Sequence, residues 1–241
     1  IGDSLAARKE WNYLETQLSD ERLLVAANLA ARKGWVDRPI FALAKLDYLN
    51  DVALRFPLAY NDIIANAAKQ SELPESLLFA IARRESSFIP DAYSSAGAAG
   101  VMQMKPSTAS YVANKKITKR DLFKPDLNIK LAGNYLRKLK GLTNQHPVLM
   151  AASYNAGFSK VKQWLPKTQM SADLWIESIP YHETRNYVKA IIDYQKVYEA
   201  LLQPSEKQQL ANSSHTEAPN DALKSPNFGG DITNLYVQPE I

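Results

Sequence analysis

The sequence predicts an all-α protein. Apolar residues recur at helical spacing in nearly every periodic stretch. Helix start and stop residues punctuate those stretches, as at Ser19, Gly34, Pro39 and Gly141. No strand is present to carry a glycine-rich phosphate loop.

Taken in order, residues near 4–18 read as an amphipathic helix carrying Leu5, Trp11, Leu14 and Leu18. Ser19 caps a second helix, Leu23 to Lys33, which Gly34 ends. Pro39 starts a third that runs to about Phe56. These three read as stacked helical hairpins. Phe56-Pro57 breaks the pattern and marks a domain boundary. Helices follow near 60–70, 74–87, 106–115, 126–140, 147–156, 158–165, 171–178 and 183–202. In the helix from Asp126, that residue caps, Ile129, Ala132, Leu136 and Leu139 form the stripe, and Gly141 stops it. The last helix carries Tyr187, Ile191, Tyr194, Tyr198 and Leu201 on one face, which reads as core. Between Asp91 and Pro106 lies a loop of Ser, Ala and Gly that lets backbone approach a ligand. From Pro204 the composition shifts to Ser, Asn, Gln, Pro and Gly, a flexible tail, with Ile232 to Val237 able to dock as a short strand. The expected organisation is a small helical domain over 1–56, a catalytic domain over 57–203 and a tail over 204–241.

The 241 residues carry a net charge of +4, unevenly spread. Residues 1–203 hold 27 basic and 20 acidic side chains, an excess of seven, against −3 in the tail. Such an excess suits an anionic polymer. Nucleic acid is one candidate, but no recognition motif accompanies the charge, so it is not the expected partner. The absence of cysteine removes thiol chemistry and disulfides. His146, His182 and His215 lie far apart without metal-ligand spacing, and no histidine stands near a suggestive serine. No cofactor is implied. No apolar run reaches the roughly 18 residues of a membrane span. The chain opens at Ile1 without a leader, which reads as a mature or partial chain.

Glu85 carries the chemistry that remains. Leu78, Ile81 and Ala82 form an apolar stripe, and Glu85 continues it at the C-terminal end of its helix. Burial and the negative helix end both disfavour a charged carboxylate. A glutamate so placed stays protonated near neutral pH and can donate a proton. Its bland alternative is a structural glutamate paired with Arg83 or Arg84. Twelve tyrosines and four tryptophans suit sugar stacking, although most belong to the core.

Four motifs in order give these features a family. Glu85-Ser86-Ser87-Phe88 and Gly97-Ala98-Ala99-Gly100-Val101-Met102-Gln103-Met104 resemble the glutamate and Gly-Leu-Met-Gln motifs of lytic transglycosylases. Ala152-Ser153-Tyr154-Asn155-Ala156-Gly157 resembles that family's third motif, and Ile179 to Val188, with Glu183-Thr184-Arg185, its fourth. Residues 1–56 resemble the linker domain that precedes the catalytic domain in soluble members, and the longer superhelical domain upstream is not in this sequence.

The resemblance implies a goose-lysozyme-like helical fold with a groove. It implies cleavage of the β-1,4 bond between N-acetylmuramic acid and N-acetylglucosamine in peptidoglycan, leaving a 1,6-anhydro end. Glu85 is then the single acid and base. Ser94 is expected to contact the N-acetyl group or the glutamate, with Ser95 as fallback. Gln103 is expected to hydrogen-bond the sugar or its peptide stem. Tyr154 places its hydroxyl near Glu85 and the N-acetyl group, and Asn155 stabilises the turn. Glu183, at a helix N-terminus, is ionised and supports the developing positive charge, or else pairs with Arg185 or a nearby lysine. The sequence departs from many members in having Lys105 where a methionine precedes the proline. Met104, one residue earlier, stays among the expected substrate contacts, and Lys105 is placed to meet a stem-peptide carboxylate.

Two other readings stand beside this one. A lysozyme-like hydrolase needs a further acid to hold water, and Asp91 is the acid nearest in sequence. A noncatalytic glycan-binding module retains the groove without turnover. The substrate implies export to the periplasm, with glycan strands as partner and cell-wall synthesis or division proteins as further possible partners of a monomer.

Overall fold

The computed structural model describes residues 4–48, 50–203 and 236–238. The chain divides into two units, Ile1–Ala59 with Ser87–Ile89, and Tyr60–Ser86 with Pro90–Ile241.

The first unit holds α1 (Ser4–Gln17), α2 (Asp20–Arg32), α3 (Asp37–Lys45) and α4 (Val52–Arg55). Its core sets Leu23 and Ala27 of α2 against Ala42 and Leu43 of α3, with Leu18, Leu24, Leu46 and Leu54 packed around them. Ser19 occupies the N-cap of α2, but its side chain makes no capping hydrogen bond. The single helix expected from Pro39 to Phe56 is two. The first begins at Asp37, with Pro39 in its opening turn, where a missing N–H costs nothing. It ends at Lys45, beyond which Asp47 takes a left-handed φ of 49°. Asp51 then starts α4 by accepting from the Leu54 amide at 3.0 Å.

The second unit is built on α6 (Glu75–Ser86), whose Leu77, Leu78, Phe79, Ala80, Ile81 and Ala82 are all buried. A helix apolar on every side belongs at the centre of a core. Against it pack α5 (Asn61–Ser71) and α13 (His182–Leu202). Phe79 stacks on Tyr198 at 5.0 Å, while Arg83 lies over Tyr194 and Arg84 over Tyr187. These contacts descend one helix as they climb the other, so α6 and α13 are antiparallel. The C-terminal end of α6 therefore meets the N-terminal end of α13.

The shell comprises α7 (Pro106–Ala113), α8 (Lys119–Leu122), α9 (Pro125–Leu142), α10 (Pro147–Ala156), α11 (Phe158–Gln163) and α12 (Ala172–Ser178). The short α8 had no signal in apolar spacing. A capping box sets it, with Thr118 and Asp121 bonding each other's backbone N–H. The N-cap of α9 is Lys124 rather than Asp126, which lies in the first turn behind Pro125. Gly141 does not stop that helix, which continues to Leu142. Asn144 and Gln145 take the left-handed turn instead. Met170–Ser171 (β1) pairs antiparallel with Tyr236–Val237 (β2), inside the segment expected to dock as a strand. The rest of the expected tail lies outside the described residues. No helix among the described residues is long and apolar enough to cross a membrane.

Candidate active site

The end of α6 brings Glu85 to a groove of about 680 Å³. Behind it, Ser87 and Phe88 both adopt left-handed φ, which turns the chain sharply out of the helix. Ser86 Oγ donates to Val101 O at 2.7 Å and ties the helix end to the Ser/Gly loop.

That loop is shaped by its own backbone. Ala99 bridges both Tyr93 and Met104 in antiparallel fashion, and the Gly100 amide donates to Ala92 O at 2.9 Å. Gly100 has φ +80°, and a Cβ there would stand 2.1 Å from Leu122 O. Glycine is the residue that fits both constraints. Asn128, fully buried on α9, holds the loop from beneath. Its Oδ1 accepts from the Met102 amide at 2.7 Å, and its Nδ2 donates to Ala99 O at 2.9 Å and Leu122 O at 3.0 Å.

The groove wall includes all seven residues expected from the sequence: Glu85, Ser94, Gln103, Met104, Tyr154, Asn155 and Glu183. Their hydrogen bonds show which of their polar atoms are already occupied. Ser94 Oγ accepts from the Ala98 amide at 3.0 Å, which leaves its proton for another acceptor. Gln103, itself left-handed, donates through Nε2 to Gly100 O at 2.9 Å and Ala92 O at 3.2 Å, so its carbonyl oxygen is what remains for a ligand. Met104 is buried and part of the bridged loop. Tyr154 donates its hydroxyl proton to Met102 O at 2.8 Å. Asn155 Oδ1 accepts from Thr184 Oγ1 at 2.7 Å, fastening the end of α10 to the first turn of α13.

Burial pushes the pKa of Glu85 up to about 7. Tyr187 and the Arg84 guanidinium oppose that rise, and the charge of Glu183 adds to it. The carboxyl is enclosed even though the residue as a whole is only half-buried. Arg84 thus acts on Glu85 electrostatically without overcoming its burial. The Tyr187 hydroxyl faces the same carboxyl closely enough to lower its pKa, yet short of hydrogen-bond geometry. Burial beside Glu85 holds the Tyr154 and Tyr187 hydroxyls well above the ordinary tyrosine range.

Glu183 stands exposed in the first turn of α13. Arg185, expected as a partner, and Lys189, a lysine on the same helix, make other contacts. Arg185 donates to Ile179 O at 2.9 Å, and Lys189 pairs with Glu177. Glu85 and Glu183 are the only acids among the described wall residues, and Asp91 is not one of them. Sequence reasoning missed Tyr187, Asn128 and Tyr135. The last packs against Tyr154 with its ring tilted by 51°, 5.8 Å between ring centres. The signal for Asn128 was a polar residue four before Ala132, on the buried face of α9.

Comparison with known proteins covers most of this chain. The family described as Transglycosylase SLT domain matches residues 62–175. The Soluble lytic murein transglycosylase L domain matches 1–52, and the Soluble lytic transglycosylase helical domain matches 178–206. A putative soluble lytic murein transglycosylase of Haemophilus influenzae is 36% identical over 220 residues, covering 87% of this chain and 36% of the relative. The soluble lytic murein transglycosylase of Escherichia coli K12 is 33% identical, covering 81% and 32%. Among solved structures, an inactive mutant of the lytic transglycosylase Slt from Pseudomonas aeruginosa superposes with TM-score 0.79 at 35% identity, covering 85% of this chain and 34% of that one. A 70-kDa soluble lytic transglycosylase in complex with bulgecin A superposes with TM-score 0.76 at 31% identity, covering 83% and 33%. The chain spans about a third of the length of these relatives.

Proposed function

Because this chain belongs to the soluble lytic transglycosylase family, we propose that it cleaves the β-1,4 bond between N-acetylmuramic acid and N-acetylglucosamine in peptidoglycan without water. The observation that carries the reading is Glu85, enclosed in the groove with a pKa near 7. It is the one wall acid so enclosed, and Glu183 is exposed.

In this mechanism Glu85 gives its proton to the bridging oxygen as the bond to the muramic anomeric carbon breaks. Positive charge develops on the muramic ring, and the exposed Glu183 carboxylate supplies the opposing field. Glu85, now a carboxylate, takes the proton from the sugar's own 6-hydroxyl. That oxygen closes on the anomeric carbon, giving a 1,6-anhydro ring and restoring the acid. No water is consumed, and a tethered nucleophile replaces a second catalytic carboxylate. Ser94 donates toward the N-acetyl carbonyl, and the Tyr154 oxygen, its proton committed to Met102, accepts from the N-acetyl N–H. Asn155 keeps the turn in place through Thr184. A peptidoglycan substrate supports a periplasmic location for the protein.

The absence of Asp91 from the wall weighs against a water-using hydrolase. Mass spectrometry of fragments released from purified peptidoglycan by this chain and by Glu85→Gln tests the reading. Fragments ending in anhydro-muramic acid, one water lighter than reducing ends and lost in the variant, are expected. Reducing ends would make the protein a hydrolase, and no fragments from either would favour a binding module.

A further inference from the structure

The C-terminal strand β2 is bound to the layer that supports the groove's second acid. The chain leaves α13 at Leu202 and is met again beside β1, where Met170 faces Val237 and Ser171 faces Tyr236. Val237 is completely buried. The strand also packs on α12, whose buried face is Ala172, Trp175 and Ile176. Several links tie α12 to the start of α13. The Trp175 indole donates to Trp164 O at 2.9 Å, and the Trp164 ring meets the Tyr181 ring edge-on at 4.9 Å. Ile179, which ends α12, accepts from the Arg185 guanidinium at 2.9 Å. Glu177 pairs with Lys189. Tyr181 is the N-cap of α13, and Glu183 stands in its first turn and in the groove wall.

The strand is held lightly. Each side of the ribbon is 2 residues long. A ribbon of that size does not persist by backbone pairing alone. Returning the chain end to β1 also costs loop-closure entropy. Burial of Val237 is what offsets that cost. Docking of this kind opens and closes without unfolding the core. In turn α12 has 7 residues, too few to stay helical without packing. Undocking Val237 uncovers the face on which α12 depends.

We propose that β2 is a strap: docked on β1 and α12, it holds the first turn of α13 so that Glu183 stays in the groove wall, and its release frees that turn and slows turnover. The β1–α12 face accepts an extended segment with one buried aliphatic side chain, and the chain supplies that segment itself. Glu85 does not depend on the strap, because α6 is enclosed by its own buried faces and by the stacking of Phe79 on Tyr198. The effect on turnover rests on the role proposed for Glu183, whereas the hold on the turn does not.

Val237→Asp in the whole chain tests this, because a carboxylate is expelled from a buried apolar site. Hydrogen exchange is expected to quicken about tenfold or more through residues 170–186 and to stay unchanged in α6. For fragment release, kcat should fall about tenfold with KM little changed, as a misplaced group that acts on the transition state allows. A synthetic peptide of residues 232–241 at saturation should restore both. In a Glu183→Gln background the same substitution should cost less than about twofold more. Exchange that is unchanged, confined to β1 or spread into α6 overturns the strap, as does a peptide that restores nothing. An unmoved kcat, or the full further loss in the Glu183→Gln background, overturns its link to turnover. Fragment analysis separates this proposal from the glycan reading. Anhydro fragments with unchanged exchange keep the reaction and remove the strap. No fragments from the unsubstituted chain, with the expected exchange reversed by the peptide, keep the hold on α13 and remove the reaction.

Discussion

The Tyr187 hydroxyl is buried and faces the Glu85 carboxyl, with no hydrogen bond of full geometry among the described residues. A buried donor left open beside a protonated acid gains a strong acceptor when that acid ionises. Tyr187 therefore stabilises the state in which Glu85 has given up its proton. Tyr187→Phe is expected to lower kcat by about 10- to 100-fold, the worth of one hydrogen bond to a charged group. It should also move the alkaline limb of the activity profile to higher pH, because a group that lowers the Glu85 pKa is gone. Thermal stability should hold or rise slightly, since the lost hydroxyl was unsatisfied. A lower melting temperature with an unmoved pH profile would reduce Tyr187 to packing.

Activity should depend on the protonated form of Glu85. With a pKa of about 7, kcat/KM is expected to be flat below that pH and to fall about tenfold per unit well above it. A profile with no limb between pH 6 and 8.5 would detach the reaction from this carboxyl.

The same carboxyl gives a stability prediction of definite sign. Its folded pKa lies above its ordinary value of 4.5, so the folded state binds the proton more tightly. Stability contributed by Glu85 is then highest below the unfolded pKa and declines as pH rises through 7. Glu85→Gln should be more stable than the parent at pH 8, by at most about 3 kcal/mol at roughly 1.4 kcal/mol per unit, with the gain shrinking toward pH 4.5. Paired melting curves at the two pH values measure it.

Gly100 and Asn128 are expected to fail for opposite reasons. Gly100→Ala forces a Cβ into Leu122 O, and Asn128→Ala removes one hydrogen bond from each of three buried backbone groups, the Met102 amide, Ala99 O and Leu122 O, of which Ala99 O keeps the Met104 amide. Each should cost about 3 kcal/mol or more and remove activity with it. Denaturant unfolding checks this, and a loss under about 1 kcal/mol at either site would show that the loop holds itself.

Thr184→Val removes the bond to Asn155 while keeping the side-chain shape. A cost of about 1 kcal/mol and a rise in KM larger than the fall in kcat are expected, since the bond positions a turn and takes no part in proton transfer. Unchanged kinetics would confine Asn155 to the fold.

What could be read from the sequence divides along physical lines. Glu85 was legible because a carboxylate interrupts an apolar stripe, and a stripe is a local property. The Ser/Gly loop was legible because its residues permit unusual backbone. Tyr187 was not, because Ile191, Tyr194 and Tyr198 share its helix face and read as uniform core. Only the antiparallel pairing of α6 with α13 sets Tyr187 opposite an acid and Tyr198 opposite Phe79. The break after α3 was hidden because Leu46, Tyr48 and Leu49 prolong the apolar run across Asp47. α8 was hidden because four residues are too few to show a period, although Thr118 and Asp121 stand at capping spacing.

A carboxyl that titrates near neutrality makes the groove responsive to its surroundings. At pH 7 about half of the molecules carry the proton on Glu85, and one unit of acidification raises that share to about nine-tenths. One unit of alkalinisation leaves roughly a tenth. On the proposed mechanism the protein needs no separate sensor to slow when its medium turns basic, because the acid it would use also reads the acidity.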